Sequence, residues 1–226
     1  MSNPTIISLG GSLIVPDAID IDFLTAFHDL ILSEIKKGRR FILICGGGRT
    51  SRIYQHAARR IGILTRHDLD WLGIHSTRLN AQLLRTIFRN QAHSQVVKNP
   101  NRNIPFKKPI LIAAGWKPGF STDYDAVVLA QHHHAKPILS LTNIDHVYDK
   151  NPHTHPKAKP LKEVSWRKFR KLVGSEWDPG LHAPFDPVAS RLAQKLGLIV
   201  KVLHGKDMDN VKRAIEGRVF QGTTIH

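Results

Sequence analysis

Only one cysteine, Cys45, occurs among 226 residues. A single thiol excludes an intramolecular disulfide and suits a reducing compartment. Its place inside the apolar run FILICGGG predicts a packed core side chain. No apolar run is long enough to span a bilayer. The N-terminal segment TIISLGGSLIV has no basic flank and is broken by Gly10 and Gly11, so a signal peptide is not expected. Low-complexity tracts, internal repeats and linkers are all missing, and Pro and Gly serve as isolated turn punctuation. Neither the P-loop pattern nor G-x-G-x-x-G is present, which removes the two familiar nucleotide fingerprints. Acidic residues are scarce. The 18 Asp and Glu against 33 Lys and Arg leave a formal charge of +15. That charge favours an anionic partner but does not choose among nucleotides, phosphorylated metabolites and nucleic acid.

What the chain does contain is an alternation of buried runs and amphipathic segments. TIISL, FILIC, PILIAAG, PILSLTN and GLIVKVL are apolar throughout rather than alternating, as parallel strands covered on both faces are. Helical spacing runs through IDFLTAFHDLILSEIKKG, with Lys36, Lys37 and Gly38 as its stop signal. Further helices are predicted over 50–61, 68–89, 123–132, 186–196 and 207–216. The expected fold is a three-layer α/β/α sandwich around a mainly parallel sheet. With 41% hydrophobic residues, one domain over 1–226 is expected, divided near residue 120 into two packed lobes. WRKFRKL, 166–172, interleaves aromatics with cations in a way that suggests RNA. Its spacing equally predicts an amphipathic helix with Trp166, Phe169 and Leu172 inward, and no common nucleic-acid signature accompanies it. His132 to His134 resemble a metal tract in composition only, because adjacent helical residues point in different directions.

Ligands of such sheets bind beyond the carboxyl ends of the strands, which is where the glycines fall. Gly10-Gly11-Ser12, Gly46-Gly47-Gly48 and the Gly115 to Gly119 turn are expected to share one rim. Glycine lets backbone N–H groups approach a phosphate, and a following helix N-terminus favours negative charge there. The stretch AAGWKPGFSTDYDAVVLAQ adds a lysine, two hydroxyls and two carboxylates at one such helix start. Ser121 and Thr122 suit an N-cap, and Asp123 and Asp125 suit the positive helix end.

The ordered segments GGSLIVP, GGGRTSRIY, LGIHSTRLNAQLL, GWKPGFSTDYDAVVLA, LTNIDHVYDKNP, FDPVASRLAQKLGL and GTTI resemble the amino acid kinase superfamily, above all archaeal-type UMP kinases. The resemblance runs from Ile6 to Ile225. It implies transfer of the γ-phosphoryl group of ATP to UMP with Mg2+, in a cytoplasmic homo-oligomer, a hexamer by family habit. Partners would be small nucleotides, with neither a membrane nor nucleic acid indicated. Two alternatives stay open: a non-catalytic nucleotide or oxyanion binding protein on the same scaffold, and a related kinase such as one acting on isopentenyl phosphate.

Residue by residue, the resemblance assigns Gly46, Gly47, Gly48, Arg52, Asp70 and Thr122 to UMP, with Arg52 on the phosphate and Asp70 on the ribose hydroxyls. Gly10, Gly11, Ser12, Asn143, Asp145 and Tyr148 fall to ATP, and Asp123 to the organisation of catalytic cations. No residue is assigned as a metal ligand. Within the ATP segment His146 and Asn151 depart from the family's glycine and aspartate, and Asp186-Pro187 match a later supporting element. Much of the superfamily carries a lysine two residues before the first glycine pair, and here that residue is Ser8. A transition-state cation is worth on the order of 10³ to 10⁵ in rate. Lys117, between Gly115 and Gly119, is the candidate substitute by position rather than by family match.

Overall fold

The computed structural model describes residues 3–102, 104–152, 154–174 and 183–226. The chain opens with β1 (Thr5–Leu9), α1 (Gly11–Ile14), α2 (Ile21–Lys36) and β2 (Phe41–Cys45). It continues through α3 (Gly48–Ile61), α4 (Arg66–Ile87), β3 (Ile110–Ala113), α5 (Thr122–His132) and β4 (Ile138–Thr142). A small hairpin follows, β5 (Val147–Tyr148) with β6 (Pro160–Leu161), and then β7 (Glu163–Val164) and α6 (Trp166–Val173). The last elements are α7 (Pro187–Lys195), β8 (Val200–His204), α8 (Met208–Ile215) and β9 (Thr223–Ile225).

Seven strands form one sheet in the order β3-β2-β1-β4-β8-β9-β7. All neighbours are parallel except β8 and β9, which run antiparallel. Strands drawn from before residue 120 occupy one half of the sheet and those from after it the other, meeting where β1 pairs with β4. All five sequence-predicted strands lie in this sheet, extended by β9 and β7, which are too short to carry a periodic signal.

Side-chain alternation on the strands splits the core in two. Ile7, Leu9, Leu43, Cys45 and Leu139 face α2, α4 and α8, packing on Phe27, Leu84 and Val211. Ile6, Ile42, Ile44, Leu111 and Val200 face α5, α6 and α7, packing on Val127, Phe169 and Ala189. Phe27 and Phe169 are fully buried, one in each layer, and truncation of either to Ala costs about 3–5 kcal/mol. Cys45 is buried as expected, and burial pushes its thiol pKa up, away from reactivity.

Helix ends follow local chemistry. Asp20 caps α2 by accepting the Phe23 N–H at 2.9 Å, and Gly38, with φ of +83°, turns the chain after Lys37. Thr65 and Asp68 form a capping box at the start of α4. Helix α6 buries Trp166 and Phe169 as its spacing predicts, but Leu172 is 39% exposed. Val173 packs on the core in its place, because at about 100° per residue it lies nearer the direction of Trp166 than Leu172 does. Among the described residues no helix is long and apolar enough to cross a membrane.

Candidate nucleotide site at the carboxyl rim

Because β1, β2 and β3 are parallel, the turns after Leu9, Cys45 and Ala113 emerge on the same edge. The first two are packed directly on each other. A Cβ on Gly11 would lie 2.0 Å from the Gly48 nitrogen, and one on Gly46 would lie 2.4 Å from the Gly11 nitrogen. Gly48 also has φ of +65°, a conformation that favours glycine. Glycine is therefore required at 11, 46 and 48 by the approach of two backbones, whatever ligand the turns receive. Gly10 is tied into the sheet by its N–H to the Leu141 carbonyl at 2.9 Å, and Ser12 is half-buried in the one-turn helix α1.

Helix α4 holds the second and third turns in place. Asn80 donates to the carbonyls of Gly46 and Gly47 at 2.8 and 3.2 Å. Thr77 accepts the Gly115 N–H at 2.8 Å, and Arg78 donates to the carbonyls of Gly115 and Trp116 at 3.3 and 2.9 Å. One of the Asp70 carboxylate oxygens accepts the Gly119 N–H at 2.8 Å. From the other side, Asp125 of α5 accepts the Trp116 N–H at 3.1 Å. The turn over 115–119 is thus strapped at several points rather than loose. Sequence reading found Asp70 but missed Thr77, Arg78 and Asn80. Their signal was present: Asp70, Thr77 and Asn80 are polar residues set into the buried stripe of an amphipathic helix.

Asp123 sits in the first turn of α5, capped by Ser121, whose hydroxyl accepts the Tyr124 N–H at 3.2 Å. The residue retains some solvent access, and half-buried Thr122 precedes it. Both Asp123 oxygens are engaged, one by the Ser8 hydroxyl at 2.9 Å and the other by the Asp186 N–H at 3.1 Å. Burial, reinforced by the neighbouring Asp186 charge, raises its pKa to about 7. Burial likewise raises Asp186 and pushes Asp125 well above the usual range, with Arg78 opposing the shift at Asp125. Asp125 Oδ1 and Asp186 Oδ2 are buried with no hydrogen-bond partner among the described residues. Asp186 also caps α7, accepting the Ala189 N–H at 2.6 Å.

Other predicted residues lie further out. Arg52 is exposed on α3, one turn beyond Gly48. Lys117 is exposed, with its ammonium 4.1 Å from the Trp116 ring centre and 5.3 Å from that of Phe120. Asn143 and Asp145 are exposed after β4, and Tyr148 is half-buried in the small hairpin. The hairpin is anchored by Thr223 of the GTTI segment, whose hydroxyl accepts the Val147 N–H at 2.9 Å. Asp145 lines a polar cleft of about 150 Å³ with His204, Asp207, Asn210 and Gln221, whereas Asn143 and Tyr148 do not line it.

A mainly parallel sheet with glycine turns and an acid-bearing helix start on one carboxyl rim is the layout in which α/β proteins place ligands at strand ends. The sequence profile of the amino acid kinase family matches residues 3–204, and the chain belongs to that family. A uridylate kinase of Thermococcus sibiricus is 33% identical over 226 residues, covering 97% of this chain and 98% of its own. Another, from Pyrococcus abyssi, is 30% identical over 224 residues, covering 97% and 98%. The crystal structure of uridylate kinase from Archaeoglobus fulgidus superposes with a TM-score of 0.83 at 25% identity, covering 99% of this chain and all of that one.

Proposed function

We propose that the protein is a UMP kinase. An oxygen of the UMP phosphate forms a bond to the γ-phosphorus of ATP as the bond from that phosphorus to the β–γ bridging oxygen breaks, giving UDP and ADP. The observation that carries this reading is the convergence of the 46–48 turn, the strapped 115–119 turn and Asp123 on one rim, in a chain with uridylate kinase relatives over nearly its whole length. On this reading residues 1 to about 120 receive UMP through Gly46, Gly47, Gly48, Arg52 and Asp70, with Thr122 joining them from the start of the second lobe. Residues from about 121 onward, with Gly10, Gly11 and Ser12, receive ATP, and the cleft beside Asp145 supports a donor subsite there.

Phosphoryl transfer is mainly a matter of positioning oxygens and neutralising charge. A UMP phosphate oxygen is already nucleophilic, so Asp123 orients cations rather than removing a proton. Among the described residues no group of three or more ligating side chains could hold a metal ion. On this reading Mg2+ arrives on the ATP phosphates, where it would neutralise developing charge. Exposed Ile53, Tyr54, Ile61 and Ile63, on and just after α3, support a homo-oligomer, a hexamer on the family pattern, and its place would be the cytoplasm. Light scattering of the purified protein reads the assembly.

The deciding experiment offers the protein ATP and Mg2+ with UMP, CMP, AMP, isopentenyl phosphate or acetylglutamate and measures ADP release. UMP is expected to give the highest kcat/KM. ADP release with isopentenyl phosphate or acetylglutamate but not with UMP sinks the assignment, and nucleotide binding without any ADP release replaces it with a non-catalytic binding role. Arg52→Ala is expected to raise the KM for UMP with little change in that for ATP.

A further inference from the structure

Ser8 interrupts an otherwise apolar stretch of β1 and is only 5% exposed. Strand alternation turns Ile7 and Leu9 toward α2 and α4, and sends Ile6 and Ser8 to the opposite layer, under the start of α5. A hydroxyl buried in a strand needs a partner. Here the partner is the Asp123 carboxylate, 115 residues away in the chain and 2.9 Å away in space. Hydrogen bonds to an ionised acceptor are the stronger kind.

Asp123 is surrounded by groups with opposing effects. Asp186, at the start of α7, offers a favourable N–H but an unfavourable like charge. Asp125, two residues along the same helix, adds another acid, and Arg78 of α4 balances that one. Burial favours the neutral form of Asp123, whereas the Ser8 hydroxyl, donated from β1, favours the anion. The Ser8 donor reaches the carboxylate from β1 and the Asp186 donor from the start of α7, so that each of its oxygens is held by a different element.

We propose that Ser8 is a positioning residue whose hydroxyl holds Asp123 as an oriented anion at the site of phosphoryl transfer. The proposal rests on the kinase reading for its consequence in turnover and on the hydrogen bond for its chemistry, and the two are tested separately. The full-length protein and its Ser8→Ala, Ser8→Thr and Ser8→Cys variants are assayed with ATP, Mg2+ and UMP from about pH 5 to about pH 9. Ser8→Ala is expected to lower kcat at neutral pH about fivefold, leave the KM for UMP within about twofold, and move the acid limb of the kcat profile up by about one pH unit. Ser8→Thr keeps the donor and is expected to restore both. Ser8→Cys, of similar volume but a weaker donor, gives an intermediate profile and serves if the Ala variant is unstable.

The second arm follows the carboxyl carbon of Asp123 by NMR through the same pH range, with no need for turnover. An upward move of its titration in Ser8→Ala supports the proposal. An unchanged Asp123 titration with an unchanged kcat profile in a folded variant overturns it, as does a uniform loss of activity that Ser8→Thr fails to restore. A wild-type protein that releases no ADP with UMP refutes the kinase reading alone, because the NMR arm still decides what Ser8 does to Asp123.

Discussion

The Asp70 carboxylate accepts the Gly119 N–H at 2.8 Å, joining the buried face of α4 to the turn that leads into α5. An acid proposed to read ribose hydroxyls therefore also sets the shape of the neighbouring turn. Asp70→Asn can keep the oxygen that accepts Gly119 while losing the second acceptor. KM for UMP is expected to rise about tenfold in this variant, and discrimination between UMP and its 2′-deoxy analogue to collapse. Steady-state kinetics with both acceptors check this, and an unaltered preference would mean that Asp70 serves the turn alone.

Asp123 links stability and turnover in opposite directions. Its pKa is about 7 in the folded protein against an ordinary 3.8, so over that interval the folded state keeps a proton the unfolded state gives up. Stability contributed by the site is therefore greatest at low pH and falls as pH rises toward 7. Asp123→Asn removes the ionisation. The variant is expected to have a higher Tm than wild type, by at least about 3 °C at pH near 8 and by less at pH near 5, with turnover strongly lowered. Calorimetry at both pH values checks the sign, and a gain that does not grow with pH contradicts it.

Gly11→Ala should prevent normal packing of the rim. The added methyl would meet the backbone of residues 46–48, with the Gly48 nitrogen 2.0 Å away, and backbone on both sides cannot rotate aside. A loss of at least about 3 kcal/mol is expected, at or beyond the upper end for overpacked sites. Urea unfolding of the variant measures it. Gly62→Ala, where a Cβ meets nothing within 4 Å, is the matched control and should be close to neutral.

Lys117 is exposed and rests on Trp116 and Phe120, a short distance along the chain from Asp123. If it moves from that ring to the transferring phosphoryl group, Lys117→Met lowers kcat at least about tenfold, equivalent to roughly 1.4 kcal/mol, with a smaller effect on the KM for UMP. An unchanged kcat leaves Lys117 as a cap on the aromatic pair and passes the charge requirement to Arg52, Arg78 and Mg2+.

The sequence by itself determined five strands of the main sheet, most helices and the rim. Apolar runs without alternation identify strands covered on both faces, glycines after them locate the turns, and Ser121 and Asp186 mark helix starts, because each of these signals is local in the chain. The antiparallel β9 and the edge strand β7 were not legible, since two or three residues carry no period. The exposure of Leu172 follows from spacing, since at about 100° per residue Val173 rather than Leu172 continues the stripe of Trp166 and Phe169. Glycine at 11 and 46, expected from the sequence to give access to phosphate, is also demanded by contact between two turns, which no local pattern shows. Only the tertiary structure decided that Ser8 meets Asp123, that Asp70 meets Gly119 and that Arg78 holds the Trp116 carbonyl, at separations of 115, 49 and 38 residues. A hydrogen bond requires two atoms within about 3 Å and aligned. For partners so far apart in the chain, that alignment is set by the register of the sheet and the packing of α4 and α5 upon it, which no local pattern encodes.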